Sequence, residues 1–206
     1  MIDDRTVAVE ARRAFGFFFI CVALAVGTGS VITEIAYLNN APPYWYAIIW
    51  LGSFGAVFGG AAARLREAAP AIRARIKTSV KWSIGSKVLN GICWAGPFAA
   101  IIALPSLSHY LILLGIGLGN LSTHQLLRKH GTIDNRDQLV VASISLAAIP
   151  VAFAIDSVLA TDQDIALMLS RILIAIAYAV GGLSALVQGT KAGPVGFDPT
   201  TSGSLQ

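Results

Sequence analysis

Six long apolar runs constrain the fold of this chain more than any other feature of its sequence. A helix needs about 20 mostly apolar residues to cross the hydrocarbon core of a bilayer, which is about 30 Å thick. In lipid the backbone must satisfy its own hydrogen bonds, so such runs predict helices rather than open strands. The sequence therefore predicts an all-α integral membrane protein with six transmembrane helices, spans 1 to 6, near 14–37, 44–63, 82–104, 108–127, 140–159 and 165–187.

Composition supports the same class. Only 13% of the 206 residues are charged and the mean hydropathy is +0.70, whereas soluble domains have about 25% charged residues. The net charge of +4 comes from residues that flank the apolar runs. We therefore expect anionic lipid headgroups, and not nucleic acid, as partners of this charge.

The basic residues predict how the chain is oriented. Of 15 Lys and Arg residues, 13 lie outside the spans, and none of them falls in the loops 38–43, 105–107 or 160–164. Because positive residues stay on the cytoplasmic side, we expect both termini in the cytoplasm and a location in the inner, or plasma, membrane. The leader contains three acidic residues, the first run is long and no A-x-A site closes it, so we expect a retained helix rather than a cleaved signal peptide.

The segments outside the spans divide into three parts. Residues 1–13 are predicted to form a cytoplasmic N-terminal segment, and 188–206 a flexible cytoplasmic tail. The basic segment 64–81 suits a short helix in the cytoplasmic interface that begins at Pro70, although a plain basic loop is the alternative. The residues expected to contact lipid headgroups there are Arg64, Arg66, Arg73, Arg75, Lys77 and Lys81.

Two pairs of similar segments indicate an internal repeat. GTGSVITE at 27–34 resembles GLGNLSTH at 117–124, and SKVLNGICWA at 86–95 resembles SRILIAIAYA at 170–179. The order of the matches is collinear, which predicts a first three-helix repeat over 14–104 and a second over 108–187. Three helices is an odd number, so the second repeat enters the membrane from the opposite side. The prediction is a 3+3 inverted-topology repeat about an axis in the membrane plane.

The repeat gives the charged residues of the spans a predicted geometry. Glu34 and Arg171 are expected to pair near the outer face, with Asp156 able to join them, and Lys87 and His124 near the inner face. An intramembrane charge is costly and is kept where it has a partner or meets water. Three interpretations stay open: the long side chains snorkel to the interfaces, the outer pair only locks two helices together, or these residues line a path. The polar residues expected along that path are Thr33, Asn90, Asn120 and Thr123.

Small residues and prolines are candidates for close packing or for hinges. G-x-x-x-G spacings in spans 2 and 4 let backbones approach closely and favour self-association. Each proline inside a span removes a backbone hydrogen bond and is expected to bend its helix. These residues are Gly27, Gly29, Gly55, Gly59, Gly115, Gly117, Gly119, Pro97 and Pro150.

The sequence contains no recognisable catalytic or metal-binding motif. Cys21 and Cys93 with three scattered His give no zinc spacing, and His109 and His130 are expected on opposite sides, which disfavours a haem. We therefore predict a non-enzyme without a cofactor: a small channel or transporter for an ion or small solute, acting as a homo-oligomer, with its path near the pseudo-axis. The alternative is a non-transporting accessory or scaffold subunit, or a holin-like membrane protein.

Overall fold

The computed structural model describes residues 4–78, 82–130 and 135–191, and the regular structure of these residues is helical throughout. A short 3-10 turn, Pro105–Leu107, precedes the fifth helix. The prediction of an all-α chain is confirmed for this part of the protein. The helices are α1 Asp4–Leu38, α2 Tyr44–Gly60, α3 Ala62–Thr78, α4 Ile84–Ala100, α5 Ser108–His130, α6 Arg136–Val158 and α7 Gln163–Lys191.

Three of these helices are long and apolar enough to cross a membrane: Arg12–Leu38 in α1, Arg136–Val158 in α6 and Asp164–Gln188 in α7. A fourth span results if α4 and 105–129, which meet at a bend of 117°, are counted as one. α2 has 17 residues, about 25 Å at 1.5 Å per residue, and is short for hydrocarbon about 30 Å thick. The helices are thus those of a membrane protein, with fewer clear spans than the six predicted.

Apolar side chains cover the outside of the bundle and polar ones lie inside it. Leu51 is 76% exposed and Ile84 is 81% exposed, whereas Ser30, Ser145 and Asp137 are buried. In water this arrangement would be unfavourable, because burying apolar surface is the main driving force of folding. Against hydrocarbon it is favourable, since the polar groups find partners only within the protein.

The helices pack in a row. α1 contacts α2, α3 and α7; α7 also contacts α6 and, less extensively, α5; α6 contacts α5; and α5 contacts α4. Neighbours in the row are antiparallel: Gly16 lies against Gly182 and Gly27 against Ala175 in the α1–α7 pair. The bundle therefore has two ends, one with the last turns of α1, α4 and α6 and the other with the last turns of α2, α5 and α7.

The two ends differ in charge. We call the end that holds Leu38, Ser108 and Val158 the acidic end. It carries four acidic side chains, and Arg171 is the one Lys or Arg that the described part of the chain places there. The opposite end is the basic end. Its basic residues include Arg12, Arg13, Arg64, Arg66, Arg128, Lys129 and Arg136, and the acidic residues of the acidic end are Glu34, Asp156, Asp162 and Asp164.

Several helices extend beyond the apolar runs of the sequence. α1 begins at Asp4, so most of the predicted N-terminal segment is helical, and α7 continues to Lys191, into the predicted tail. Pro70 lies inside α3 rather than at its start, because the alanines before it favour helix strongly enough to extend α3 back to Ala62. The rest of the tail, 192–206, lies outside the described residues.

The helix contacts contain only part of the predicted inverted repeat. The α1–α7 contact has its counterpart in α5–α4, and α1–α2 has its counterpart in α5–α6. The counterpart of α6–α7 would be a contact between α2 and α4, which is not among the extensive helix contacts of the described residues. The repeat is therefore not confirmed.

The closest approach between α1 and α7 is made by two glycines that the sequence analysis did not single out. A Cβ on Gly16 would lie 2.9 Å from the Gly182 carbonyl oxygen, and a Cβ on Gly182 would lie 2.8 Å from the Gly16 carbonyl oxygen. Of the predicted packing glycines, Gly115, Gly117 and Gly119 meet Phe98, Leu146 and Trp94 in the same tight way, and Gly29 meets Trp50. Gly55 and Gly59 have no such neighbour among the described residues.

The substitution Gly182→Ala should destabilise the α1–α7 pair. The added methyl group overlaps the Gly16 backbone, and overpacking of this kind costs about 1–3 kcal/mol of unfolding free energy. Gly55→Ala is the matched control, because a Cβ there meets open space. Thermal unfolding in detergent measures both variants, and equal midpoints would contradict the close contact.

Candidate functional site

Glu34 on α1 and Arg171 on α7 face each other near the acidic end. The Arg171 guanidinium interacts electrostatically with the carboxylates of Glu34 and of Asp164, which lies two turns earlier on α7. Tyr37, one turn after Glu34, reaches Asp164 with its hydroxyl. Because α1 and α7 are antiparallel, residues late in α1 meet residues early in α7. The structure thus brings the predicted outer pair together, although the two groups do not form a direct ion pair.

Polar atoms beside this pair are buried without hydrogen-bond partners. Among the described residues, the Thr33 hydroxyl, the Ser170 hydroxyl and the Oε1 atom of Glu34 have none. An unsatisfied buried polar group costs about 1–3 kcal/mol. Such atoms persist where water or a ligand reaches them. We call Thr33, Glu34, Ser170 and Arg171 the polar seam.

Asp156 does not join the seam. Its Oδ2 atom accepts hydrogen bonds from the Tyr110 hydroxyl and from Nε2 of His109, at 2.7 Å. The expectation that Asp156 would join Glu34 and Arg171 is therefore corrected. The reason is the rotation of Asp156 on α6, which directs its side chain to the first turn of α5, where His109 and Tyr110 lie.

The predicted pair of His124 and Lys87 does not form either. Nδ1 of His124 lies 3.1 Å from the Asn135 carbonyl oxygen, and Nδ2 of Asn135 donates to the His124 carbonyl oxygen at 3.2 Å. Because a carbonyl only accepts, Nδ1 of His124 carries the proton. Lys87 is exposed and makes no described contact with His124. At the basic end, His124 of α5 and Asn135, the residue before α6, therefore exchange two hydrogen bonds that hold these helices together.

A polar network joins α4 to α5. Oδ1 of Asn90 accepts from the Ser122 hydroxyl at 2.7 Å and from the Thr123 hydroxyl at 2.9 Å. The indole N–H of Trp94 donates to the Thr123 hydroxyl oxygen at 3.1 Å. Both hydroxyls also lie within reach of the Gly119 carbonyl oxygen, so each single proton has two acceptors. Several hydrogen bonds of this network therefore join α4 to α5.

The predicted path residues thus occupy separate places rather than one channel. Thr33 lies in the seam, and Asn90 and Thr123 lie in the α4–α5 network. Asn120 donates to the Ile116 carbonyl oxygen at 2.9 Å and lies beside the Tyr178 hydroxyl of α7. Of the two prolines, Pro97 is buried near the end of α4 and Pro150 lies inside α6.

Sequence reasoning missed several residues that complete these sites. Asp164 had a usable signal, since it is seven residues before Arg171 and therefore on the same helix face, and Tyr37 follows Glu34 by three residues for the same reason. His109 and Asn135 had none, because their partners lie on another helix at a rotation that the sequence does not give.

The predicted headgroup residues lie on or near α3 at the basic end. The Arg64 guanidinium lies over the Phe17 ring, 5.7 Å from its centroid, and Arg66 and Arg73 are exposed. Lys81 and the side chains of Arg75 and Lys77 lie outside the described residues. Lipid binding by this segment stays a prediction.

Comparison with known proteins adds no family to this description: no protein-family model, curated protein or solved structure matches the chain. Over the residues that the structure describes, there is also no group of three or more His, Cys, Asp or Glu placed to hold a metal ion.

A double-mutant cycle should detect the interaction across the seam. Glu34→Gln or Arg171→Gln alone leaves one charge without its counterpart, whereas the double variant removes both. We expect a coupling free energy of about 0.5–3 kcal/mol in unfolding measurements. Glu67→Gln combined with Arg171→Gln is the control, since Glu67 is exposed at the opposite end of the bundle, and should be additive. Additivity of Glu34 and Arg171 would show that they do not interact.

Proposed function

We propose that this protein is a small membrane channel or transporter for an ion or a small polar solute, with the polar seam as part of its path. The observation that carries the proposal is the set of buried, unpartnered polar atoms on Thr33, Glu34 and Ser170 beside Arg171. On insertion scales a charged residue costs about 2.5–3.5 kcal/mol at the centre of a membrane span and less toward its ends, and charged residues within spans mark ion and substrate pathways.

The polar groups of the seam could bind an ion or a small polar solute during transport. Glu34 offers a carboxylate and Arg171 a guanidinium, and neither is neutralised by direct contact with the other. The Thr33 and Ser170 hydroxyls can each donate and accept a hydrogen bond. An ion with part of its water shell, or a small solute with both donors and acceptors, would satisfy these groups in turn.

The finer topology belongs to the same proposal. The asymmetry of charge between the two ends supports a cytoplasmic basic end and cytoplasmic termini in an inner or plasma membrane, so the seam would face the outer side. α2 and α4 would complete six spans with the residues that flank them. The matching contacts of α1 with α7 and of α5 with α4 support an inverted repeat, in which a path would run near the pseudo-axis.

Flux through liposomes tests this function. The full-length protein is reconstituted, and uptake of K⁺, Na⁺, Cl⁻ and a panel of small zwitterionic and neutral solutes is measured. We expect flux of at least one of them, reduced about tenfold or more by Glu34→Gln and by Arg171→Gln, on the scale of one lost charge-assisted hydrogen bond.

Two exposed charges serve as matched controls for this experiment. Glu67→Gln and Arg66→Gln make the same chemical changes on the exposed surface of α3 and should leave flux unchanged. Absence of any flux, or flux that both seam variants leave intact, would contradict the assignment.

A second candidate function rests on the free face of α2. Gly52, Gly55 and Gly59 are exposed and have open space where a Cβ would be, which leaves a surface suited to close helix contact. Self-association would make the protein a homo-oligomer. A different subunit on this face would make it an accessory or scaffold protein, and a holin-like assembly would also use such a surface.

Self-association through α2 predicts that Gly55→Leu lowers the oligomeric mass in detergent while the chain still folds. Gly91→Leu on α4 is the control, because Gly91 is exposed and also has open space around it. Light scattering coupled to size exclusion measures the mass. A wild-type monomer that co-purifies with a stoichiometric partner would favour the accessory function instead.

A further inference from the structure

A groove of about 690 Å³ opens at the acidic end between the start of α5 and the last turns of α6. This volume lies in the range of small-molecule sites, about 300–1,000 Å³. Its walls are mostly apolar, and neither the polar seam nor the α4–α5 network contributes to them. The apolar lining residues are Leu107, Ile149, Pro150 and Phe153.

One end of the groove carries a carboxylate with an unused oxygen. Asp156 lines the groove with Tyr110 and Ser106, and its side chain is 28% exposed. His109 and Tyr110 both bind its Oδ2 atom. Oδ1 makes no hydrogen bond to the described residues and is not buried, so its lone pairs are open to a ligand.

Asp156 is the one carboxylate among the residues that line the groove. Nε2 of His109 lies 2.7 Å from its Oδ2 atom, and Nδ1 of His109 is buried without a partner among the described residues. No Lys or Arg lines the groove, and the last turn of α6 has no basic residue.

The groove also has a direction. Asp156 is two residues from the end of α6, while Pro150 lies six residues earlier, about 9 Å deeper along the helix. The charged end is thus at the level of the helix ends and the apolar walls reach toward the middle of the bundle. An amphiphile aligned with the helices would match both features.

We propose that this groove binds a membrane lipid whose headgroup carries a primary ammonium. The ammonium, with three N–H donors, contacts Oδ1 of Asp156 and the Ser106 hydroxyl, and one acyl chain lies along Ile149 and Phe153. A quaternary ammonium lacks those donors, and a headgroup whose only charge is an anionic phosphate is repelled by the carboxylate. This site is separate from the polar seam and does not depend on transport.

Lipid retention measured by native mass spectrometry tests the proposal. The full-length protein is exchanged into mixed micelles that contain phosphatidylethanolamine and phosphatidylcholine with identical chains. We expect about tenfold or greater preference for phosphatidylethanolamine, the scale of one charge-assisted hydrogen bond. Asp156→Asn should abolish that preference, and Asp162→Asn, at an exposed carboxylate in the adjacent turn, should keep it.

A second variant and a soluble probe complete the test. Leu107→Trp fills the groove from a wall residue that is 42% exposed and leaves Asp156 intact, so loss of the preference there supports the site even if Asp156→Asn fails to fold. Decylammonium should displace phosphatidylethanolamine. Three results would each overturn the proposal. The first is equal retention of both lipids by the wild type, and the second is a preference that survives in Leu107→Trp or in folded Asp156→Asn. The third is binding of decylammonium without retention of lipid.

Discussion

One constraint governs this structure. In a hydrocarbon environment, every polar group needs a hydrogen-bond partner inside the protein. The outer surfaces of the helices are apolar, so hydroxyls, amides and charges are directed between helices. Most of them find partners: Asn90 with two hydroxyls of α5, His124 with Asn135, and Asp156 with His109. The atoms that remain without a partner then become informative, since stability alone does not account for them. Among the described residues, three of the seven such side-chain atoms belong to Thr33, Glu34 and Ser170 of the seam, and the others to Trp82, His109, Gln138 and Ser145.

The α1–α7 pair combines opposite kinds of contact along its length. Toward the basic end the two backbones touch at Gly16 and Gly182, which leaves no room for water. Toward the acidic end the same pair is lined by opposite charges and unpartnered hydroxyls. The tight crossing fixes the relative position of the helices there, while at the other end the Thr33 and Ser170 hydroxyls have no hydrogen-bond partner among the described residues. This division suits a path that opens on one side of the membrane.

The helical class and the approach of Glu34 to Arg171 could be predicted from the sequence, for a physical reason. Long apolar runs have one solution in lipid, and antiparallel helices with charges at the same depth are driven to pair them. The partners of Asp156 and His124 could not be predicted, because each step along a helix rotates a side chain by about 100° and the sequence does not say which neighbour it then faces. The start of α3 at Ala62 lies before the position that Pro70 predicts, because the alanines before the proline also favour helix.

The two sites at the acidic end divide its charges between them. In the seam, a carboxylate and a guanidinium lie close enough to interact electrostatically, so their opposite charges offset each other. In the groove, no Lys or Arg lies beside Asp156 and the walls are mostly apolar, so the site suits a ligand with a positive charge and an apolar body. A lipid meets both demands and would stay bound, closing the α5–α6 face to solute. The seam between α1 and α7 would then be the route at this end along which a small guest could move.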